Sequence, residues 1–107
     1  MNNKYYTVCG IVEIEGKIVL VRHTYGNAKD RILLPGGFVQ ENELPTTAIE
    51  REIFEETNIT AKAKSIIAVQ FKPEQWCAVF LMEYIREYLN QTGSKIVRCC
   101  YFLPKRL

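Results

Sequence analysis

Four glutamates stand close together in a stretch of this 107-residue chain that has the composition of a helix, from about Pro45 to Thr57. On a helix, Glu52 lies three residues before Glu55 and four before Glu56, so these three carboxylates project from one narrow face. Carboxylates at this spacing repel each other by about 0.2–0.5 kcal/mol per pair. The pattern therefore predicts either a solvated acidic surface or a divalent-cation site, because Mg²⁺ and Mn²⁺ bind carboxylate oxygens and would offset the repulsion.

A glycine turn lies shortly before this stretch. Residues 34–37 read Leu-Pro-Gly-Gly, and glycine, which has no Cβ, lets the backbone approach a ligand closely. Five residues separate Gly37 from Glu43, and seven more separate Glu43 from Arg51, which is followed directly by Glu52. The turn and the acidic stretch together form a long pattern with fixed spacing.

This pattern resembles the Nudix box, G-x5-E-x7-R-E-U-x-E-E-x-G-U, in which U is an aliphatic residue. The match begins at Gly37 and ends at Ile59, and every fixed position agrees except the late glycine, which is Asn58 here. The position just after a helix often adopts the left-handed conformation, for which Asn is the next choice after Gly. We therefore expect Asn58 to keep the turn at a cost below about 1 kcal/mol.

The resemblance implies an enzyme that hydrolyses a nucleoside diphosphate linked to another group, with Mg²⁺ or Mn²⁺ as cofactor. It implies that the metal is held by Glu52, Glu55 and Glu56, together with a backbone carbonyl of the turn at Gly37. The alternative is a catalytically silent module of the same fold that binds or senses a nucleotide. Because such modules usually lack one or more of these carboxylates, and all are present here, we favour the enzyme.

Three residues receive catalytic roles by the same resemblance. Glu52 is the preferred general base as well as a ligand, while Arg51 and Glu43 support the carboxylates, since the planar guanidinium can fix their geometry. Many family members carry a further acid near the start of the last strand, where this chain has Lys95. Glu87, in the preceding segment, is the alternative base.

A polar segment, residues 23–31, follows the second predicted strand and reads as a loop. In the Nudix family the corresponding loop often borders the substrate pocket. Arg22 and His23 are therefore candidates for binding phosphate, and Tyr25 is a candidate for stacking on a base. The alternative is an ordinary solvated loop.

Composition limits the remaining possibilities. A length of 107 residues predicts one domain, and a net charge of +2 is too weak to indicate binding to nucleic acid or to a membrane. No apolar run reaches the roughly 18 residues of a membrane span, and the N-terminus has no apolar signal segment, so we expect a cytoplasmic protein with a small-molecule nucleotide substrate. The cysteines lack C-x-x-C spacing and lie in apolar runs, which predicts reduced packing residues.

The rest of the sequence predicts the strands that position the acidic helix. Ile49 and Ile53 lie beside its acidic face and can bury against a sheet. Apolar and β-branched runs predict a hairpin that turns at Glu15 and Gly16, and three later strands, the second of them buried on both faces. The hairpin strands are 5–14 and 17–22, and the later strands are 63–71, 76–85 and 96–103.

By resemblance, these elements form an α/β/α sandwich around a mixed sheet, with a second helix after the last strand. The chain ends shortly after residue 103, so the C-terminal helix is predicted to be missing or shortened, and residues 1–107 to form a single Nudix domain that is either a minimal variant or incomplete. The strands contain more apolar residues than one helix can cover. We therefore expect a second copy, in a homodimer, or further chain to cover the bare sheet face.

Overall fold

A computed structural model describes residues 2–22, 31–87 and 100–104 of the chain. In these residues the chain forms eight strands and one helix. Their bounds are β1 Asn2–Ile11, β2 Glu13–Ile14, β3 Lys17–Arg22, β4 Ile32–Leu33, β5 Gly36–Gln40, α1 Pro45–Thr57, β6 Ile59–Lys72, β7 Gln75–Glu87 and β8 Cys100–Pro104. The helix has the predicted bounds, and it begins at Pro45 although Leu44 provides no side-chain cap and the sequence alone also allows a start at Thr46 or Thr47.

The strands form two sheets. The first has the order β5-β1-β7-β6 and is mixed: β1 is parallel to β7, whereas the β1–β5 and β6–β7 pairs are antiparallel. In the second sheet β3 pairs with β2, β4 and β8, all antiparallel. The predicted α/β fold with a mixed sheet is confirmed. In the part of the chain that the structure describes, α1 is the only helix.

The prediction of one continuous strand over residues 5–14 is wrong. The chain leaves the first sheet after Ile11 and joins the second at Glu13, because one strand cannot hydrogen-bond along both sheets at once. The predicted hairpin turn is confirmed: Glu15 and Gly16 have φ angles of 51° and 80°, both left-handed, as a two-residue hairpin loop requires. The hairpin therefore joins β2 to β3.

Residues 36–40 form a strand, so both glycines of the predicted Leu-Pro-Gly-Gly turn belong to the sheet. In β5, Gly36 pairs with Cys9 of β1, and Gly37 pairs with Val8. A Cβ on Gly36 would collide with the carbonyl oxygen of Val8 and the Cα of Cys9. Glycine is therefore needed for this close pairing, and it does not break the strand.

The later strands are longer than predicted. β6 begins at Ile59, directly after the helix, and β7 extends to Glu87. The predicted start of the last strand, at residues 96–99, lies outside the described part of the chain. The centre of β7 is buried, as at Phe80, but Trp76 and Ile85 near its ends are 43% and 41% exposed. Burial on both faces therefore holds only for the middle of this strand.

Helix α1 packs against one face of the first sheet. Ile49 and Ile53 are fully buried, and a Cβ on Gly10 of β1 would lie about 3 Å from both of these side chains and from Met82 of β7. The helix ends at Thr57, and the next residue, Asn58, has left-handed φ and ψ angles of 65° and 16° and donates its N–H to the carbonyl of Phe54 over 2.9 Å. The predicted role of Asn58 in the turn is confirmed.

The distal part of the β6–β7 hairpin is poorly covered. Ile66, Ile67 and Phe71 are 56%, 50% and 76% exposed, and they belong to a run of exposed residues that fills the second half of β6. The described residues include no helix long and apolar enough to cross a membrane.

Candidate active site

Arg51, on the second turn of α1, connects several acceptors around it. Its Nε and Nη2 donate to the two carboxylate oxygens of Glu43 over 2.7 and 2.9 Å, and Nη2 also donates to the carbonyl of Phe38 over 3.2 Å. Its Nη1 donates to Glu52 over 2.9 Å and lies 3.4 Å from an oxygen of Glu55. One guanidinium thus fixes the loop before the helix, strand β5 and two of the acidic side chains.

Glu43 ties the loop between β5 and α1 to the helix. Besides its bidentate pair with Arg51, it accepts a hydrogen bond from the N–H of Gln40 over 2.9 Å. The hydrogen bond from Arg51 is the main reason why the pKa of Glu43 lies below its ordinary value. Glu43 therefore stays ionised and positions the loop and the arginine, while the supporting catalytic role that the resemblance implies stays a prediction.

Glu52 and Glu56 are partly buried side chains of the acidic helix face. Burial raises the pKa of Glu52, although Arg51 acts in the opposite direction. Burial also raises the pKa of Glu56, to about 8, and the charge of Glu52 adds to this effect. One oxygen of Glu56 accepts a hydrogen bond from the N–H of Gly36 over 3.2 Å, which partly offsets the shift. These side chains therefore lie in a site that favours either a proton or a cation.

Gly37 leaves the space into which Glu52 projects. A Cβ on residue 37 would lie 2.5 Å from both Cδ and Oε2 of Glu52, closer than real Cβ contacts come. Gly37 and the acidic helix are thus in direct contact. The proposed metal contact of the Gly37 carbonyl remains a prediction.

The oxygen atoms of Glu52, Glu55 and Glu56 are suitable ligands for a divalent cation. In this structure, however, the three side chains do not point toward a common centre. In the part of the chain that the structure describes, no three acidic, histidine or cysteine side chains surround one point. Glu52 and Glu55 face Arg51, and Glu56 faces the N–H of Gly36. The Glu55 side chain is 41% exposed and can turn without disturbing the core. Oxygen donors of this kind suit Mg²⁺ and Mn²⁺.

Glu50 belongs to the same helix but has a different function in the fold. It accepts a hydrogen bond from the N–H of Ala63 in β6 over 2.9 Å, and it lies 3.9 Å from Nζ of Lys62. It therefore attaches the helix to β6 and stands apart from the Arg51 network.

The predicted substrate-binding residues are only partly placed. Arg22 is the last residue of β3 and is half-buried. His23 and Tyr25 lie outside the described residues, as does Lys95, and the side chain of Glu87 at the end of β7 is likewise outside the description. The substrate contacts and the choice of base between Glu52 and Glu87 stay predictions.

Sequence reasoning missed a cavity of about 560 Å³ beside the N-terminus of α1. Its walls are mainly apolar, and the rings of Tyr6 and Trp76 meet edge to face at 4.7 Å. Its lining includes Tyr6, Val8, Val39, Glu43, Pro45 and Trp76. The parallel pairing of β1 with β7 brings the two aromatic residues together, and no local sequence signal reports that pairing.

Comparison with known proteins decides the family. The profile of the NUDIX domain matches residues 3–107. The chain belongs to the Nudix family. This confirms the resemblance that rests on the spacing from Gly37 to Ile59.

Among curated proteins, this Nudix chain is 40% identical over 68 residues to an ADP-ribose pyrophosphatase of Methanocaldococcus jannaschii. The match covers 64% of the chain and 40% of that relative's length. Among solved structures, a Nudix hydrolase from Nitrosomonas europaea is similar with a TM-score of 0.75 at 25% identity, over 94% of this chain and 58% of that one.

A second solved structure has the same fold at lower identity. It is an ADP-ribose pyrophosphatase from Streptococcus suis, with a TM-score of 0.76 at 17% identity. The similarity covers 96% of this chain and 79% of that one. The chain thus spans less than two thirds of the length of the M. jannaschii and N. europaea relatives.

Proposed function

We propose that this Nudix domain hydrolyses the pyrophosphate linkage of a nucleoside diphosphate joined to another group, with Mg²⁺ as cofactor and Mn²⁺ as a substitute. The observation that carries the proposal is the contact between Glu52 and Gly37, with Glu56 hydrogen-bonded to Gly36 beside it. This arrangement joins the acidic helix to the glycine turn. ADP-ribose is the first substrate to test, because the M. jannaschii relative is named for it.

The chemistry follows from charge. A diphosphate repels both an acidic surface and an attacking hydroxide, so the reaction needs positive charge at this face. A bound Mg²⁺ would supply it, neutralising charge on the phosphate and polarising a water. Glu52 and Glu56, with Glu55 turned toward them, would hold the cation. Glu52 would also accept the proton of the attacking water, and Arg51, bound to Glu43, would keep Glu52 in position.

Substrate binding is proposed for the segment that follows β3. Arg22 and His23 would contact phosphate, and Tyr25 would stack on the base. The partner is a small nucleotide; a net charge of +2 gives no support for binding nucleic acid. A cytoplasmic location for the reaction stays a prediction.

The second candidate is a nucleotide-binding module without turnover. Nη1 of Arg51 donates hydrogen bonds to one carboxylate oxygen of Glu52 and one of Glu55. If these hydrogen bonds are permanent, the two oxygens are unavailable to a cation. Such a module would bind ADP-ribose without releasing products. Turnover measurements therefore separate the two candidates.

The test is incubation of the protein with ADP-ribose and a panel of other nucleoside diphosphate derivatives in Mg²⁺, with products separated by chromatography. We expect AMP and ribose 5-phosphate from ADP-ribose, with label from heavy-oxygen water in one phosphate. Glu52→Gln should reduce turnover by about 10²–10⁴-fold. Glu50→Gln is the matched control, because Glu50 is on the same helix but contacts β6.

Three outcomes would contradict the proposal or part of it. Equal activity of the Glu52→Gln and Glu50→Gln variants would show that Glu52 has no catalytic role. Undiminished turnover in excess chelator would show that the reaction needs no metal ion. Binding of ADP-ribose with no product from any substrate in the panel would favour the silent module.

A further inference from the structure

Two cysteines that are distant in sequence lie in contact in the first sheet. The Sγ atoms of Cys9 in β1 and Cys77 in β7 are 3.6 Å apart, and both residues are free thiols with partial exposure. In the parallel register, Cys77 pairs with Thr7 and Cys9 pairs with Val79, so the two cysteines are diagonal neighbours on adjacent strands. The two cysteines are 68 residues apart in the sequence, so their contact depends on the pairing of β1 with β7.

The pair lies on the sheet face that α1 does not cover. Gly10, the next residue after Cys9, faces the helix, where an added Cβ would meet Ile49 and Ile53. Because successive residues of a strand point to opposite faces, Cys9 points away from the helix. Its neighbour Cys77 is on the same side, since the two sulfurs meet. Small reagents can therefore reach the thiols without displacing the helix.

We propose that Cys9 and Cys77 form a dithiol modification site that reacts with small-molecule disulfides, such as oxidised glutathione, and closes to an intramolecular disulfide. In the first step the thiolate of Cys77 attacks one sulfur of the reagent, forms a mixed disulfide and releases one glutathione thiolate. The deprotonated sulfur of Cys9 then attacks the Cys77 sulfur and releases the second glutathione. The two protein thiols are oxidised and one reagent disulfide is reduced to two thiols, so electrons and protons balance.

The geometry suits this reaction. The sulfurs must close from 3.6 Å to about 2.05 Å, a movement that the side chains and a small strand shift can supply. The hydrogen bond between the two thiols lowers the pKa of Cys77, and the charge of Lys72 acts in the same direction. The pKa of Cys9 is raised by the same hydrogen bond. Cys77 is therefore the attacking thiol and Cys9 the resolving one.

Formation of the disulfide would affect the candidate active site, because β1 connects Cys9 to the residues around Gly36. Cys9 lies against Gly36, where an added Cβ would be 2.8 Å from the Cα of Cys9, and the N–H of Gly10 donates to the carbonyl of Pro35 over 3.0 Å. Gly36 in turn donates to Glu56. A shift of Cys9 toward Cys77 therefore moves the turn that holds Glu56. This coupling rests on the proposed function, whereas the thiol chemistry does not.

The experiment uses the whole chain with Cys99 and Cys100 changed to Ser, so that Cys9 and Cys77 are its only thiols. After treatment with oxidised glutathione, we expect the intact mass to fall by two hydrogen atoms and both thiols to resist alkylation. Peptide mapping should recover the peptides of Cys9 and Cys77 as one linked species. In the Cys9→Ser variant, Cys77 should instead retain one glutathione, because the resolving thiol is absent.

Other results would overturn the proposal. Full alkylation of both cysteines after treatment would mean that no modification occurs, and glutathione retained in the parent would mean that the pair does not close. Hydrolysis is a separate readout: we expect the linked protein to be slower and to recover with a reducing agent. A linked protein that hydrolyses at the parent rate would overturn the coupling to Gly36, while absence of hydrolysis in the reduced protein would count against the proposed function alone.

Discussion

The carboxylate of Glu52 fills the space that a side chain on residue 37 would occupy. An ideal Cβ built on Gly37 lies 2.5 Å from Oε2 and 2.7 Å from Oε1 of Glu52. The atom that would collide is the functional end of the glutamate, so even the smallest side chain at position 37 acts directly on the candidate metal site.

Gly37→Ala should therefore weaken metal binding. The methyl group forces the Glu52 carboxylate away, and loss of a positioning contact of this kind typically lowers metal affinity about 10–100-fold. Titration with Mn²⁺, followed by calorimetry or by the signal of the free ion, measures the effect. Gly16→Asn is the control, because residue 16 has open space around it and Asn tolerates its left-handed φ. Equal Mn²⁺ affinities for the parent and Gly37→Ala would contradict the prediction.

Arg51→Lys should reduce turnover about 10–100-fold while the fold is retained. Lysine keeps the positive charge but cannot bind Glu43 with two parallel bonds and also reach Glu52 and Phe38. Steady-state rates and circular dichroism measure activity and fold. Lys62→Arg is a matched exchange of the same two residue types at an exposed site near Glu50. A rate loss in both variants, or in neither, would argue against the positioning role of Arg51.

Glu55→Gln should reduce the stabilisation that Mg²⁺ gives. A ligand at 100 times its Kd raises the free energy of unfolding by about 2.7 kcal/mol. We expect the parent to show this rise, Glu55→Gln to show less of it, and Glu50→Gln to match the parent. In chelator, removal of one like charge should leave Glu55→Gln at least as stable as the parent. Thermal melts with and without Mg²⁺ decide the matter, and equal metal-induced shifts in all three proteins would show that Glu55 is not a ligand.

Because of Glu56, the free energy of unfolding of the metal-free protein should decrease as the pH rises. Its folded-state pKa is raised to about 8 from an ordinary value of 4.5, so the folded protein binds more protons than the unfolded chain between these values. The free energy of unfolding therefore decreases across this window and levels off above it. Glu56→Gln removes this pH dependence. The free energy of unfolding of the variant, relative to that of the parent, should therefore increase from about pH 5 to pH 8.

Chemical denaturation in chelator at several pH values measures this difference. Metal binding must displace the same proton, so the Mn²⁺ affinity of the parent should rise over the same window. A difference between Glu56→Gln and the parent that does not change with pH would contradict the raised pKa of this side chain.

We expect the chain to self-associate through the exposed part of the β6–β7 hairpin. Ile66, Ile67 and Phe71 are exposed apolar residues of β6, the edge strand of the first sheet among the described strands, where backbone groups are also available for pairing. Sedimentation velocity at micromolar concentration should detect a dimer, and Phe71→Lys should shift it toward monomer. A well-dispersed monomer of the parent would contradict the prediction.

The bounds of α1 could be predicted because local signals mark both ends. Pro45 suits the first helical turn, and Asn58 suits the left-handed residue that follows the last. The contact of Glu52 with Gly37 could be predicted only as part of a known motif, since periodicity alone does not place a turn against a helix.

Non-local pairing could not be predicted in the same way. Nothing near Cys9 in the sequence indicates that its sulfur meets that of Cys77, because the register of two distant strands sets the contact. The division of the first predicted strand at Val12 has a similar cause, since Val12 bonds to Val19 in one sheet while its predecessor pairs in the other. The direction of Glu55 toward Arg51 depends on side-chain rotation, which sequence spacing does not fix.

The parallel pairing of β1 with β7 has a consequence for how the chain folds during synthesis. The helix and β1 leave the ribosome first, but Phe80 and Met82, which complete the core with Ile49 and Ile53, come later. Contacts between residues so distant in sequence form slowly, because the intervening chain must first be closed into a loop. A nascent chain that ends before β7 thus exposes the apolar side of its own helix, and chaperones and proteases would act on it until the last third of the domain is made.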